Sequence, residues 1–194
     1  MTERSQSVRD AVASAVDANW QRQTDWLARL VSFDTTRGNE APCQAWLAGE
    51  FAARGGLVDS FTIAEVPIEG KPGASAIVDV DYTKAVQVVA SFPAEEGEGT
   101  AKGRSLILQG HIDVVPPGPL EQWRHPPFEP LIEDGFMHGR GANDMKVGVA
   151  TMVFALDALR DAGFAPAGDV FVETVSEEEC TGNGALATLE RGYR

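Results

Sequence analysis

Three segments place potential metal ligands directly after apolar runs or in tight turns, and they constrain the fold more than any other feature. They are residues 106–113 (LILQGHID), 139–146 (GRGANDMK) and 176–180 (SEEEC). In open α/β sheets, ligands bind at the carboxyl ends of the strands, so side chains that follow different strands meet at one edge. The three segments therefore predict one metal site built from distant parts of the chain.

The first segment offers a histidine and an aspartate at alternate positions. If the extended conformation continues past residues 106–108, His111 and Asp113 project from one face. A metal-bound imidazole usually donates its other ring N–H to a carboxylate or carbonyl group, so Asp113 is suited to orient His111. A His-x-Asp pair at a strand end also occurs as a surface pair or in a capped turn, and the pair alone leaves that alternative open.

The second segment places Asp144 in a glycine-rich turn just before a helical pattern. Gly139 and Gly141 permit a tight turn from which the carboxylate can approach a metal. The alternative is that Asp144 caps the helix that follows. A dinucleotide or phosphate loop is disfavoured, because the third glycine is missing and no Gly-Lys-Ser/Thr sequence is present.

The third segment carries consecutive glutamates. Ser176 and Glu179 have the spacing of a capping box at a helix start. Gly182 and Gly184 follow within a few residues and do not favour a continuing helix. A carboxylate pair at a strand end is therefore the better interpretation, in which Glu179 binds metal and Glu178 takes a proton from water.

The rest of the chain alternates helical and strand patterns. Helices are predicted over residues 8–32, 42–54, 146–162 and 184–190, the last with Asn183 as its cap. Strands are predicted over residues 57–63, 76–80, 86–91, 105–109 and 169–175, with a hairpin turn at Asp134-Gly135 and an exposed polar loop over 92–103. This alternation predicts an α/β fold with a mixed, mostly parallel sheet flanked by helices.

Composition excludes several classes of partner. The formal charge of −13, from 16 basic and 29 acidic residues, argues against nucleic acid, which requires clustered lysine and arginine. Neither a signal-peptide core nor an apolar run of about 20 residues is present, so we expect a cytoplasmic location without membrane contact. Cys43 and Cys180 are expected to be unrelated free thiols. His125 and His138 are expected to be structural or pocket-lining.

The order and spacing of the three segments are more specific than any one of them. Gly-His-x-Asp-Val-Val-Pro, then Gly-Arg-Gly-x-x-Asp-Met-Lys, then Glu-Glu before Gly-x-Gly-Ala resembles the zinc aminoacylase family that includes acetylornithine deacetylase, succinyl-diaminopimelate desuccinylase and the glutamate carboxypeptidases. The resemblance implies a zinc-dependent exopeptidase-like catalytic domain. It makes His111 a ligand of one metal, Asp144 the bridging carboxylate, Glu179 a ligand of the other metal, Glu178 the general base and Asp113 the partner of His111.

The resemblance also implies an activity and a substrate class. The expected reaction is hydrolysis of the amide bond of an N-acyl amino acid at a site with two zinc ions, with cobalt or manganese as alternatives. A carboxypeptidase or dipeptidase acting on short peptides with the same site is the alternative. Full-length relatives are longer homodimers that supply further ligands and a lid domain. We therefore expect residues 1–194 to form the amino-terminal portion of one catalytic domain and to be inactive alone.

Overall fold

The computed structural model describes residues 3–94 and 103–194. The helices are α1 (Glu3–Val31), α2 (Ala41–Ala53), α3 (Val147–Asp161) and α4 (Asn183–Arg191). The strands are β1 (Leu57–Thr62), β2 (Val86–Phe92), β3 (Leu106–His111), β4 (Leu131–Glu133), β5 (Phe136–His138) and β6 (Val170–Val175). Residues 95–102 of the predicted polar loop lie outside the described residues.

Four strands form the main sheet, in the order β1-β2-β6-β3. β2 runs antiparallel to both of its neighbours, while β3 and β6 are parallel. Three of the four strands thus point in one direction, and β2 points in the other. The predicted mixed sheet flanked by helices is confirmed, although the central position of β2 makes two of the three pairings antiparallel.

Helices cover both faces of this sheet. Alternate residues of a strand point to opposite faces, and β2 accordingly contributes Val88 and Ala90 to one core and Val89 to the other. The first core lies under α1, α2 and α3, and the second lies under α4 and the segment after β1. The carboxyl ends of β3 and β6 lie beside each other, because His111 pairs with Val175.

The short hairpin of β4 and β5 has the predicted turn. Asp134 and Gly135 both have positive φ angles, 52° and 81°. A two-residue turn of type I′ requires this conformation at both positions, and Asp-Gly is one of its preferred sequences. No helix among the described residues has the length and apolar character needed to cross a bilayer.

Two local predictions are wrong. Residues 76–80 do not form a strand; the segment is largely exposed, and the carbonyl oxygen of Val78 accepts a hydrogen bond from Nη1 of Arg37 at 2.9 Å. Asn183 does not cap α4, since Gly182 occupies the position before the helix. Instead the Asn183 side chain accepts the backbone N–H of Ser75 at 2.9 Å and donates to its carbonyl oxygen at 3.0 Å. Asn183 thus anchors the segment around Ser75 to α4.

Candidate metal centre

The parallel pairing of β3 with β6 creates the edge on which the site is built. His111 is the last residue of β3 and is only 5% exposed. Immediately beyond it, the backbone N–H of Ile112 donates to the carbonyl oxygen of Val175 at 2.9 Å. The chain segments that leave β3 and β6 therefore start side by side, and they carry Asp113 and Glu178 respectively.

A glycine in the left-handed backbone conformation brings Asp144 to the same edge of the sheet. Gly141 has a φ of +81°, and a Cβ atom there would lie 2.6 Å from Cγ1 of Val114. The turn Ala142–Lys146 that follows places Oδ1 of Asp144 at 3.1 Å from Nε2 of His111. Asp144 does not cap α3, since Lys146 holds the cap position. The alternative of a capping role for Asp144 is therefore excluded.

Lys146 anchors the turn that carries Asp144. Its side chain is completely buried, and Nζ donates to the carbonyl oxygen of Phe33 at 2.9 Å. Burial lowers the pKa of Lys146 to about 8, because a low-dielectric environment disfavours the ammonium form. The turn with Asp144 is thus tied to the loop that follows α1.

His111, Asp144 and Glu179 converge at the end of the sheet. Each offers one ligand atom, and these three atoms lie within 4.8 Å of one another. Oε2 of Glu178 lies 3.6 Å from Nε2 of His111. Glu178 and Glu179 occupy a turn after β6 rather than the first turn of a helix, so the alternative capping box is excluded.

Asp113 links the histidine to the glutamate turn. Its carboxylate accepts the backbone N–H of Glu178 at 3.3 Å and that of Glu179 at 3.1 Å. Nδ1 of His111 lies 3.0 Å from the carbonyl oxygen of Asp113, which can only accept, so this nitrogen carries the proton. Nε2 is directed at the carboxylate of Asp144, 3.1 Å away. Burial lowers the pKa of His111, but the contacts with Asp113 and Asp144 outweigh burial and raise it to about 9.

The site concentrates negative charge. Burial raises the pKa of Glu179, and the nearby carboxylate of Asp144 raises it further. A cation would relieve this repulsion. Two ligands of one zinc ion can lie about 4.4 Å apart at most, because Zn–N and Zn–O bonds measure about 2.0–2.2 Å. The observed limit of 4.8 Å thus requires little movement, and a histidine with two carboxylates is a donor set that suits zinc.

The other two histidines lie apart from this cluster. The rings of His125 and His138 meet edge to face, with centroids 6.1 Å apart. In the proline-rich loop of residues 116–130, Nε1 of Trp123 donates to the carbonyl oxygen of Pro117 at 2.9 Å, so this indole packs against its own loop. Cys43 is buried and Cys180 is exposed, both as free thiols.

Sequence reasoning missed two charged side chains that support the site. Arg37 binds Glu177 directly beside the glutamate pair, and Lys146 is buried under the turn with Asp144. Arg37 lies in a polar loop whose sequence carries no signal of a partner 140 residues away. Lys146 ends the Gly-Arg-Gly-x-x-Asp-Met-Lys motif, but nothing in the local sequence distinguishes a buried lysine from a solvated one.

Comparisons with known proteins agree with this geometry. The model of Peptidase family M20/M25/M40 matches residues 107–194. The chain is 49% identical to succinyl-diaminopimelate desuccinylase of Alkalilimnicola ehrlichii over 78 residues, covering 40% of this chain and 21% of that protein. It is 31% identical to N-formyl-4-amino-5-aminomethyl-2-methylpyrimidine deformylase of Bacillus subtilis over 167 residues, covering 84% of this chain and 34% of that protein.

A solved structure shares the fold. The dipeptidase Dug1p of Saccharomyces cerevisiae superimposes with a TM-score of 0.70 at 15% identity, over 88% of this chain and 35% of that one. The matches to the two curated relatives span about a fifth and a third of their length, 21% and 34%. The matched residues 107–194 include His111, Asp144 and Glu179. Residues 107–194 of the chain thus resemble Peptidase family M20/M25/M40.

Proposed function

We propose that this chain is part of a metal-dependent hydrolase that cleaves the amide bond of an N-acyl amino acid. One observation carries the proposal: ligand atoms of His111, Asp144 and Glu179 lie within 4.8 Å of one another, inside the segment that matches the family. Relatives named as a desuccinylase and a deformylase support removal of an acyl group from nitrogen.

In this proposal His111, Asp144 and Glu179 hold the metal. Zinc is the first choice for a histidine with two carboxylates, with cobalt and manganese as alternatives. When bound there, the metal supplies Lewis acidity for the substrate carbonyl and lowers the pKa of a water molecule. Asp113 keeps His111 in the tautomer that leaves Nε2 available for ligation.

Glu178 is the proposed proton carrier. Its side chain is 56% exposed, and its carboxylate lies 3.6 Å from Nε2 of His111, so it borders the ligand cluster while remaining open to substrate. Its backbone is held by Asp113. Glu178 takes a proton from the attacking water and delivers it to the leaving amine.

The three proposed ligands of the 194-residue chain are too few for two complete zinc sites. Three protein ligands and a water molecule complete one four-coordinate zinc site, but two such sites need further protein ligands. We expect this chain by itself to bind zinc weakly and to show no turnover.

A dipeptidase or carboxypeptidase with the same site is the second candidate. The fold shared with the yeast dipeptidase favours it, because the same arrangement of strands serves a peptide substrate there. Rates on N-succinyl amino acids, N-acetyl amino acids and dipeptides, measured with the protein expressed from its complete reading frame, separate the two candidates.

Glu178→Gln in that same protein tests the assigned roles. Removing the proton acceptor should lower kcat by about 10²–10⁴-fold and leave zinc content unchanged. Glu179→Gln should instead weaken zinc binding, because it removes a ligand. Glu121→Gln, an exposed glutamate of the proline-rich loop, serves as the control. If Glu178→Gln empties the metal site and Glu179→Gln does not, the two roles are exchanged.

A further inference from the structure

A second carboxylate is buried directly beside the candidate metal centre without belonging to its ligand group. Glu177 is 1% exposed. Nε and Nη2 of Arg37 donate to its two oxygens at 2.5 and 2.8 Å. The hydroxyls of Tyr82 and Thr181 donate to Oε2 at 2.8 and 3.1 Å. Four donors therefore saturate a carboxylate that the proposed reaction does not use.

The backbone of Glu177 is equally unusual. Its φ of +69° lies in the left-handed region of backbone conformations, which residues other than glycine, asparagine and aspartate rarely adopt. The turn that begins here closes when the N–H groups of Thr181 and Gly182 donate to the carbonyl oxygen of Glu177 at 3.0 and 2.7 Å. Glu178 and Glu179 lie inside this turn. Their orientation therefore depends on a conformation that needs support from the Glu177 side chain.

Arg37 supplies that support from a loop that also touches the other side of the site. Its Nη1 donates to the carbonyl oxygen of Val78 at 2.9 Å. Two residues earlier, the carbonyl oxygen of Thr35 accepts the backbone N–H of Val114, the neighbour of Asp113, at 3.0 Å. One loop thus contacts both Glu177 and Val114, the residue that follows Asp113.

We propose that the ion pair of Arg37 with Glu177 is a positioning device that holds Glu178 and Glu179 in place for the metal and the attacking water. The inference rests on the proposed function of these two glutamates. Three consecutive carboxylates repel one another, and Arg37 is the cation that contacts the buried one. Without it, Glu177 leaves its buried position, the left-handed turn relaxes, and the two glutamates lose their alignment with His111.

Amide hydrogen exchange of the metal-free protein tests the device without relying on catalysis. The backbone N–H groups of Glu178 and Glu179 report on the turn, because both are bonded to Asp113. Arg37→Met should lower the protection of these two amides by about tenfold or more relative to Val172 in the sheet. Arg37→Lys keeps the charge but loses the bidentate contact with the Glu177 carboxylate, so it should retain part of the protection of these amides against exchange.

Arg191→Met is the matched control. Arg191 makes a similar two-pronged ion pair with Asp59, at 2.6 and 2.8 Å, with a side chain 31% exposed against 27% for Arg37. It should not change exchange at Glu178 or Glu179 selectively. Glu177→Gln provides a second variant, which keeps the size of the side chain and should also expose both amides.

Cobalt binding adds an independent readout. The dissociation constant should rise about tenfold in Arg37→Met and stay unchanged in Arg191→Met. Exchange that is unchanged in both Arg37→Met and Glu177→Gln, or that rises equally at Val172, would overturn the proposal, since the pair would then only stabilise the fold. If the wild-type protein binds no cobalt, the proposed function fails, and the exchange measurement still decides the positioning role.

Discussion

Replacing Asp113 by asparagine should damage the site while preserving the size of the side chain. In the structure each carboxylate oxygen of Asp113 accepts one backbone N–H, from Glu178 at 3.3 Å and from Glu179 at 3.1 Å. Asparagine has one accepting oxygen, and its NH₂ group would face the second donor. One backbone N–H of the glutamate turn therefore loses its partner whichever way the amide is oriented.

The magnitude follows from that lost partner. Leaving a buried donor unsatisfied costs about 1–3 kcal/mol, and these amides are only partly buried, so we expect a loss of about 1–2 kcal/mol in the free energy of unfolding. The backbone carbonyl oxygen of Asp113, which holds Nδ1 of His111, remains in the variant, so the effect on metal binding acts through the glutamate turn. Loss of a group that supports metal-binding residues typically weakens metal affinity by about 10–100-fold. Both effects should appear together, because the Asp113 carboxylate holds the turn that carries Glu179.

Urea unfolding of the metal-free protein gives the first quantity, and zinc titration by calorimetry gives the second. Asp81→Asn is the matched control, since Asp81 also accepts a backbone N–H, from Thr83 at 3.0 Å, but is exposed and lies outside the ligand group. That variant should leave zinc affinity unchanged. If Asp113→Asn matches the wild type in both stability and zinc affinity, Asp113 does not organise the site.

Three further predictions concern the fold. In urea unfolding, Gly184→Ala should destabilise the protein by more than about 2 kcal/mol, because its Cβ would lie 1.9 Å from the carbonyl oxygen of Ser176. Gly49→Ala in α2 is the control: its Cβ would meet nothing within 4 Å, and the variant should be more stable by about 0.5–1 kcal/mol. A thiol reagent should label Cys180 in the native protein and Cys43 only after unfolding, and rapid native labelling of both would contradict the described burial. Burial raises the pKa of Cys43 to about 12, well above that of a thiol in the unfolded chain. The contribution of the buried thiol to stability is therefore complete below about pH 9 and falls as the pH rises. Relative to Cys43→Ala, the wild type should lose about 2 kcal/mol of its free energy of unfolding between about pH 9 and 10.5.

The convergence of His111, Asp144 and Glu179 was easier to predict from the sequence than their surroundings, for a physical reason. These three residues stand next to strands and glycine turns that are encoded locally, by apolar runs and by residues that permit positive φ. The hairpin at Asp134 was predictable on the same ground. Local patterns of this kind need no knowledge of distant contacts.

Features that depend on distant partners escaped prediction. The pairing of Arg37 with Glu177 joins residues 140 positions apart. The position of β2 between β1 and β6 is set by packing of the two cores rather than by any single segment. Residues 76–80 have the composition of a strand, yet Asn183 and Arg37 hold this region by contacts with Ser75 and Val78. In each case tertiary contacts override a local preference.

Anomalous diffraction from crystals of the protein grown with zinc tests the central claim most directly. The account predicts zinc about 2.0–2.2 Å from ligand atoms of His111, Asp144 and Glu179, either as one ion held by all three or as two ions bridged by Asp144. His111→Ala should abolish the zinc peak at residue 111. A zinc ion bound between His125 and His138 instead, with none at His111, would contradict the assignment of the metal centre.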